Sequence, residues 1–228
     1  MRRIAIIPAR GGSKRLPRKN ILDFHGRPMI TYAIQAALES NLFQRVLVST
    51  DDIEIAEVAC KAGAETEMRP PELATDKARV KDVCLHVLDQ EEAQGRSYDV
   101  MFCIYATAPL IKSADIANIA GMVTPGVSDF VMAVTTYPFP PHQAMRMDEN
   151  GILKPMWPEI ASRQSQDMCD LYIDNGSIYA VTVDAFRIFQ SFRGAGVRGY
   201  FMPLTRSVDI DTPEDLELAL YFASKMEL

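Results

Sequence analysis

Short apolar runs alternate with helical patterns along most of this chain, and that rhythm constrains its fold more than any other feature. "RIAIIPA" is followed by "PMITYAIQAALES", then "RVLVST", then "IEIAEVACKAG". The first and third are β-branched-rich runs suited to strands, while the second and fourth space their apolar residues three and four apart, as one face of a helix does. Repeated β-α-β units give a parallel sheet with helices on its faces. The pattern continues with a helix over 80–93, a strand in "YDVMFCIYAT", a helix over 113–123 and a strand in "DFVMAVTTY". The near-continuous apolar character of "YDVMFCIYAT" fits a central strand covered on both sides. Later come a strand in "SIYAVTV", a helix over 184–191, a strand over 198–204 and a terminal helix after Thr212.

Between these two stretches the rhythm breaks. "PFPPHQAMRMDENGILKPMWPEIASRQSQDMCD" carries five of the chain's 14 prolines and one Asn-Gly turn, with no clean helix. The expectation is one α/β domain over 1–228, with an inserted excursion over 138–174. At 228 residues and 48% hydrophobic content, the chain is long and apolar enough for a single core. The excursion has no core of its own. Phe139, Met156 and Trp157 would need a second protomer to bury them, or the segment would fold back as a lid on its own domain.

Charge excludes one class of function. With 24 Lys and Arg against 30 Asp and Glu, net −6, the chain lacks the positive surface of a nucleic-acid binder. The four cysteines, Cys60, Cys84, Cys103 and Cys169, form no CxxC pair and have no neighbouring histidine, so they read as reduced, mostly buried thiols rather than a zinc site. No run has the length of a membrane span, and the opening apolar run is too short for a signal peptide, so the expected location is the cytoplasm.

Against this acidic background, "IAIIPARGGSKRLPRKNI" concentrates Arg10, Lys14, Arg15, Arg18 and Lys19 just after the first strand. In open α/β sheets the loop after the first strand is a favoured phosphate site. Gly11, Gly12 and Ser13 would let backbone N–H groups approach an anion, while Arg10 and Lys14 would supply charge-assisted hydrogen bonds. The loop is neither a Walker loop nor GxGxxG. The bland alternative is a solvated basic loop.

A second constellation lies at "DIDTPEDLE". Asp209 and Asp211, two apart in an extended segment, project to one side and can share a hard cation. Helix capping is the competing reading. It accounts better for their neighbours: Thr212 as N-cap, Pro213 at the first helical position and Asp215 closing a capping box. In "STDDIEIA", by contrast, Asp51 with Glu54 reads as an ordinary capping box, and neither Asp51 nor Asp52 is assigned to the nucleotide. His25, His86 and His142 have no carboxylate at readable spacing, and Met29, Met101, Met122 and Met132 read as core filler.

Taken in order, "IPARGGSKRLPRKNI", "GRPMITYAI", "VLVSTDDIEIAEVACKAGAE", "RPPELATD", "ATAPL", "RQSQDMCDLYIDNGSIY" and "DIDTPEDLELA" resemble the sugar-activating cytidylyltransferases, in particular the CMP-nonulosonate (sialic-acid-type) synthetases. The resemblance spans nearly the whole chain. It implies a Rossmann-like nucleotidyltransferase fold with a mostly parallel central sheet and a small dimerisation excursion. It also implies a reaction joining CTP to an acidic eight- or nine-carbon sugar, with Mg²⁺, releasing pyrophosphate.

The resemblance further assigns residues. Arg10 and Lys14 would hold the triphosphate and act in catalysis with Asp211, while Ala9, Gly11, Gly12, Lys19, Asn20 and Arg69 would complete the nucleotide site. Asp209 and Asp211 would hold the metal. Tyr105, Thr107, Arg163, Gln164, Asn175 and Tyr179 would contact the sugar, with Arg163 forking onto its carboxylate. Read without the family, Asn175-Gly176 is equally a simple turn before a strand.

Two departures shape the expectation. "YATAP" places Tyr105 where sialic-acid enzymes carry a glutamine, a pattern similar to the pseudaminic acid cytidylyltransferases, whose deoxygenated diamino sugar offers more apolar surface to a ring. "DKARV" has Val80 near a position where many relatives place Ser or Thr against the nucleotide. The alternatives are an N-acetylneuraminate, legionaminate or KDO cytidylyltransferase and, from another class, a catalytically silent nucleotide-sugar binding subunit.

Overall fold

The computed structural model describes residues 1–160 and 168–226. In chain order its elements begin with β1 (Arg3–Pro8), β2 (Asp23–Phe24), β3 (Arg27–Pro28), α1 (Ile30–Glu39), β4 (Arg45–Thr50), α2 (Ile53–Lys61), β5 (Glu65–Met68) and α3 (Val80–Ala93). There follow β6 (Val100–Ile104), α4 (Ser113–Met122), β7 (Phe130–Thr136), β8 (Met145–Met147), β9 (Leu153–Pro155), β10 (Tyr172–Thr182), α5 (Val183–Phe189), β11 (Arg198–Phe201) and α6 (Pro213–Ser224). Seven strands form one sheet in the order β11-β7-β10-β6-β1-β4-β5. All run parallel except β10, which is antiparallel to both its neighbours.

Alternation along the strands explains the layers. Ala5 and Ile7 of β1, with Phe102 and Ile104 of β6, face Ile30, Ala33 and Ile34 of α1, Ile55 of α2 and Ile116 of α4. Ile4, Ile6, Met101 and Cys103 face the opposite way, against Cys84, Val87 and Leu88 of α3 and Phe186 of α5. Every residue of β6 is buried, which is why its sequence reads as an unbroken apolar run rather than an alternating one. A third cluster joins α6 (Ala219, Ala223) and Ile210 to Leu16, Phe24, Met29 and Tyr32, and so fixes the start of α6 against the basic loop.

The order β6-β1-β4 contains the topological reversal. From β1 the chain proceeds outward through β4 to β5, then returns to place β6 on the other side of β1. Loops leaving the carboxyl ends of β1 and β6 diverge there, and a crevice opens between them.

Two expectations need correction, and one strand comes without a sequence signal. Of the four cysteines, all free, only Cys84 and Cys103 are buried, whereas Cys60 and Cys169 are exposed. β10 starts at Tyr172, earlier than "SIYAVTV", and carries a register shift between Asp174 and Tyr179 with Gly176 at φ 66°. β5, whose sequence "ETEM" has no apolar run, lies at the sheet edge and was not foreseen. The Pro-rich region contributes the hairpin β8-β9, and Phe139, Met145, Met147, Met156 and Trp157 around it remain exposed. No helix among the described residues is long and apolar enough to cross a membrane.

Candidate active site

The crevice at the switch point is a cavity of about 480 Å³. Arg10, Lys14, Arg15, Lys19 and Asn20 line it from the loop after β1, Tyr105, Ala106 and Thr107 from the loop after β6, and Asp211 from the approach to α6. Arg69, Asp76 and Val80 close the remaining side. The sequence motifs thus converge although they are scattered over more than 200 positions of chain.

All five cations of the basic loop are paired with carboxylates. Arg10 Nη1 lies 2.8 Å from Asp76 Oδ1, and the other oxygen of Asp76 meets the Lys14 ammonium. Lys19 Nζ donates to Asp211 Oδ1 at 2.8 Å and to the Ile210 carbonyl at 2.8 Å, and Arg15 reaches the second oxygen of Asp211. Arg18 Nη1 donates to Asp52 Oδ2 at 2.7 Å. These contacts hold the Asp76 carboxyl below its ordinary range, through the hydrogen bonds of Lys14 and Arg10. They also fix an ordered arrangement of positive charge before any anion arrives.

The backbone of the loop is braced from three sides. Asn20 is buried and donates Nδ2 to the Arg10 carbonyl at 2.8 Å, so it supports the loop from beneath. The Ala9 N–H is used by the Ser49 carbonyl at 2.9 Å, an extension of the β1-β4 ladder. The Gly11 N–H donates to Asp51 Oδ1 at 2.9 Å. A Cβ at Gly11 would come 2.5 Å from Asp52 Oδ2, so the close approach of the two loops requires glycine.

That geometry overturns the capping assignment in "STDDIEIA". β4 ends at Thr50, and Asp52 is the extended residue before α2: its side chain accepts from the Glu54 N–H at 2.9 Å and the Ile55 N–H at 3.1 Å. Asp51 is not the cap. One residue earlier on the strand end, it is turned instead toward the basic loop after β1. At α6 the expected box is present, with Thr212 and Asp215 bonded reciprocally and Pro213 in the first turn. His86, with no carboxylate at readable spacing, meets one through the fold: its Nε2 lies 3.3 Å from Glu67 Oε1, across 19 positions of chain.

Asp209 and Asp211 differ in environment. Asp211 would be raised by burial, but Lys19 and Arg15 outweigh that and hold its carboxyl below the usual range. Asp209 is pushed up, first by desolvation and then by the charge of Asp211. It accepts no hydrogen bond among the described residues. No group of three or more acidic, histidine or cysteine side chains able to hold a metal occurs among the described residues. A cation here would have two carboxylates and would take the rest of its shell from water and substrate oxygens.

Tyr105 separates the crevice from a second cavity of about 240 Å³, lined by Tyr105, Asp174, Gly176, Tyr179 and Asp209. The Tyr105 and Tyr179 rings are 5.8 Å apart, and burial raises both phenols above their ordinary range. Asn175 does not reach either cavity. It is buried, with Nδ2 donating to Ser207 Oγ at 3.0 Å and Oδ1 accepting from Ser177 Oγ at 2.7 Å, so it ties β10 to the segment before α6. Arg163 and Gln164 lie outside the described residues. Arg69 is buried, and it is held by the Ser49 and Leu73 carbonyls.

Sequence reasoning missed Asp51, Asp76 and Asp174. Each acts across a separation of five to 66 positions, and although all three stand inside motifs quoted for the resemblance, no local spacing marks their partners.

Comparison with known proteins agrees with this geometry. A model of the family described as Cytidylyltransferase matches residues 4–138. Pseudaminic acid cytidylyltransferase of Campylobacter jejuni is 37% identical, over 96% of this chain and 95% of that protein. CMP-N,N'-diacetyllegionaminic acid synthase of Legionella pneumophila is 32% identical, over 96% of this chain and 94% of that one. Among solved structures, a CMP:2-keto-3-deoxy-manno-octonic acid synthetase complexed with CTP superposes with a TM-score of 0.74 over 100% of both chains, at 19% identity, which shows a shared fold.

Proposed function

Because the chain belongs to the cytidylyltransferase family, we propose that it transfers the cytidylyl group of CTP to a nonulosonic acid, pseudaminic acid, and releases pyrophosphate. The observation that carries this reading is the crevice itself, where Arg10, Lys14, Arg15 and Lys19 face one volume, with Asp211 held beside Lys19 and Arg15. The near full-length similarity to pseudaminic acid and legionaminic acid enzymes points to the sugar.

In this reading the sugar hydroxyl attacks the α-phosphorus of CTP, the bond to the β-phosphate oxygen breaks, and pyrophosphate departs. Negative charge grows on the departing group. Arg10 and Lys14 exchange Asp76 for the triphosphate and stabilise that charge, more in the transition state than in the ground state. Lys19 and Arg15 hold Asp211 toward the same volume. Gly11, with its N–H spent on Asp51, shapes the loop instead of binding phosphate, and the Ser13 N–H donates to the Gly11 carbonyl at 3.0 Å, which leaves Gly12 between them to offer its N–H.

Mg²⁺ fits the mutual repulsion of Asp209 and Asp211. Those two residues would hold it, and when bound it would neutralise charge on the triphosphate. The exposed apolar residues of the β8-β9 region support a homodimer, with the arm of one protomer covered by its partner. Free, buried Cys84 and Cys103 and the use of CTP are in keeping with a cytoplasmic enzyme.

Incubation with CTP, Mg²⁺ and, separately, pseudaminic, legionaminic, N-acetylneuraminic and 2-keto-3-deoxy-manno-octonic acids tests the reading. CMP-pseudaminate identified by mass, together with pyrophosphate, is the expected result. A Tm shift with CTP and no pyrophosphate from any acid would instead indicate a nucleotide-binding subunit.

A further inference from the structure

The cavity beyond Tyr105 has a wall that the cytidylyltransferase reading leaves unexplained. Asp174 lines it together with Asp209, so two carboxylates face a volume of about 240 Å³ that an acidic sugar is to enter. Asp209 is assigned to the metal, but Asp174 is not, and it repels the carboxylate of the sugar.

We propose that Asp174 is a specificity-determining residue that accepts a hydrogen bond from an acylamino N–H of the sugar acid; the proposal rests on the functional reading above. The bonding capacity of the carboxylate supports it. Asp174 Oδ1 accepts from the Gly176 N–H at 3.0 Å and from Tyr179 Oη at 2.8 Å. Oδ2 accepts from Arg193 Nη2 at 2.8 Å and shares the same phenolic proton at 2.8 Å. Among the described residues three donors thus occupy a group with about four lone-pair sites, and one site is left for a ligand in the cavity it lines.

The rest of the wall has the same polarity. Tyr179 has only one proton and gives it to Asp174, so toward the cavity the phenol oxygen can only accept. Asp209 has no donor among the described residues. A ligand satisfies such a wall with N–H or O–H groups and not with carbonyl or carboxylate oxygens. The floor chooses between the two donors: Tyr105 and Tyr179, whose ring centroids lie 5.8 Å apart, give ring surface that an acyl methyl covers and a hydroxyl does not. Arg193, bound to Asp174 from the exposed side, fixes the carboxylate in place. The kink at Gly176 within β10 turns Asp174 and Tyr179 toward each other over five positions of chain.

The test compares pseudaminic acid with 2-keto-3-deoxy-manno-octonic acid, which has no acylamino group, each as substrate or as competing ligand. Asp174→Asn should lower kcat/KM for pseudaminic acid about 10- to 100-fold, mainly through KM, as expected for loss of a hydrogen bond to a charged group. The Kd for CTP should not move, and the preference for pseudaminic acid over the octonic acid should shrink accordingly. Tyr179→Phe, which removes the phenol but keeps the carboxylate, should preserve that preference. An unchanged preference in Asp174→Asn overturns the proposal. So does an equal loss in Tyr179→Phe, since Asp174 would then act only by orienting the phenol. If wild-type protein converts neither acid nor any other nonulosonate, the functional reading falls and the proposal with it.

Discussion

The carboxylate of Asp76 bridges the Arg10 guanidinium, at 2.8 Å, and the Lys14 ammonium, occupying the two cations that the functional reading assigns to triphosphate. Both pairs are solvent-accessible, with the Lys14 side chain 78% exposed, so they contribute little stability and are readily exchanged. Asp76→Asn removes this internal competitor. We expect the Kd for CTP, measured by titration calorimetry, to fall by up to about fivefold, the range of an exposed ion pair. A weaker Kd would mean that Asp76 contributes to binding rather than competing with it.

Gly11 sits between two functions. A methyl group there meets Asp52 Oδ2 at 2.5 Å, and it can be accommodated only by moving the α2 cap or the phosphate loop. Gly11→Ala should therefore lose about 0.5–2 kcal/mol of stability, the usual worth of an N-cap, along with most of the turnover. Chemical denaturation and a pyrophosphate-release assay measure the two effects separately. Retention of both would show that the loops separate freely.

Arg10→Ala should reduce kcat by on the order of 10² or more, because it removes a preorganised donor from the reacting phosphates. Asp211→Asn should nearly stop turnover while CTP still binds through Arg10, Lys14 and Lys19, with partial recovery in high Mg²⁺ or in Mn²⁺, which binds such sites more strongly. Full activity of Asp211→Asn at low Mg²⁺ would return that residue to a role in entering α6.

Away from the site, Glu91 predicts how stability depends on pH. Arg96 donates to it from Nε and Nη2, both at 2.7 Å, Tyr98 Oη donates at 2.6 Å and Arg45 also reaches it, and the carboxyl falls from 4.5 to about 2. A depressed pKa means that the unfolded chain takes up the proton first. The stabilisation is thus complete above about pH 4.5 and is lost as the pH falls toward 2. Glu91→Gln should cost about 3–5 kcal/mol at pH 7, as breaking a buried ion pair does, and should flatten the decline of Tm between pH 4.5 and 2. Parallel wild-type and variant curves in that window would contradict the assignment.

Local rules made part of this structure legible. α3 runs from Val80 to Ala93, as its periodicity indicates, and Thr212, Pro213 and Asp215 start α6 as their capping chemistry requires. What failed had non-local causes. β5 is an edge strand whose residues Glu65 to Met68 satisfy backbone pairing with β4 rather than a core, so no hydrophobic period marks it. The exchange of roles between Asp51 and Asp52 turns on a single residue of strand length, below what a sequence pattern resolves. Asn175 sits in a family motif, yet its side chain is spent on Ser177 and Ser207. Asp174 beside it, in the same motif but assigned no role there, lines the cavity.

Cytidylyl transfer requires that the sugar hydroxyl attack the α-phosphorus of CTP. Purified protein incubated with [α-³²P]CTP, Mg²⁺ and pseudaminic acid, then resolved by chromatography, tests it in one experiment. The account predicts that the label moves into a product with the mass of CMP-pseudaminate and that pyrophosphate forms, unlabelled, in equal amount. Label that remains in CTP, or that appears as free CMP or CDP whether or not the sugar is present, would contradict cytidylyl transfer.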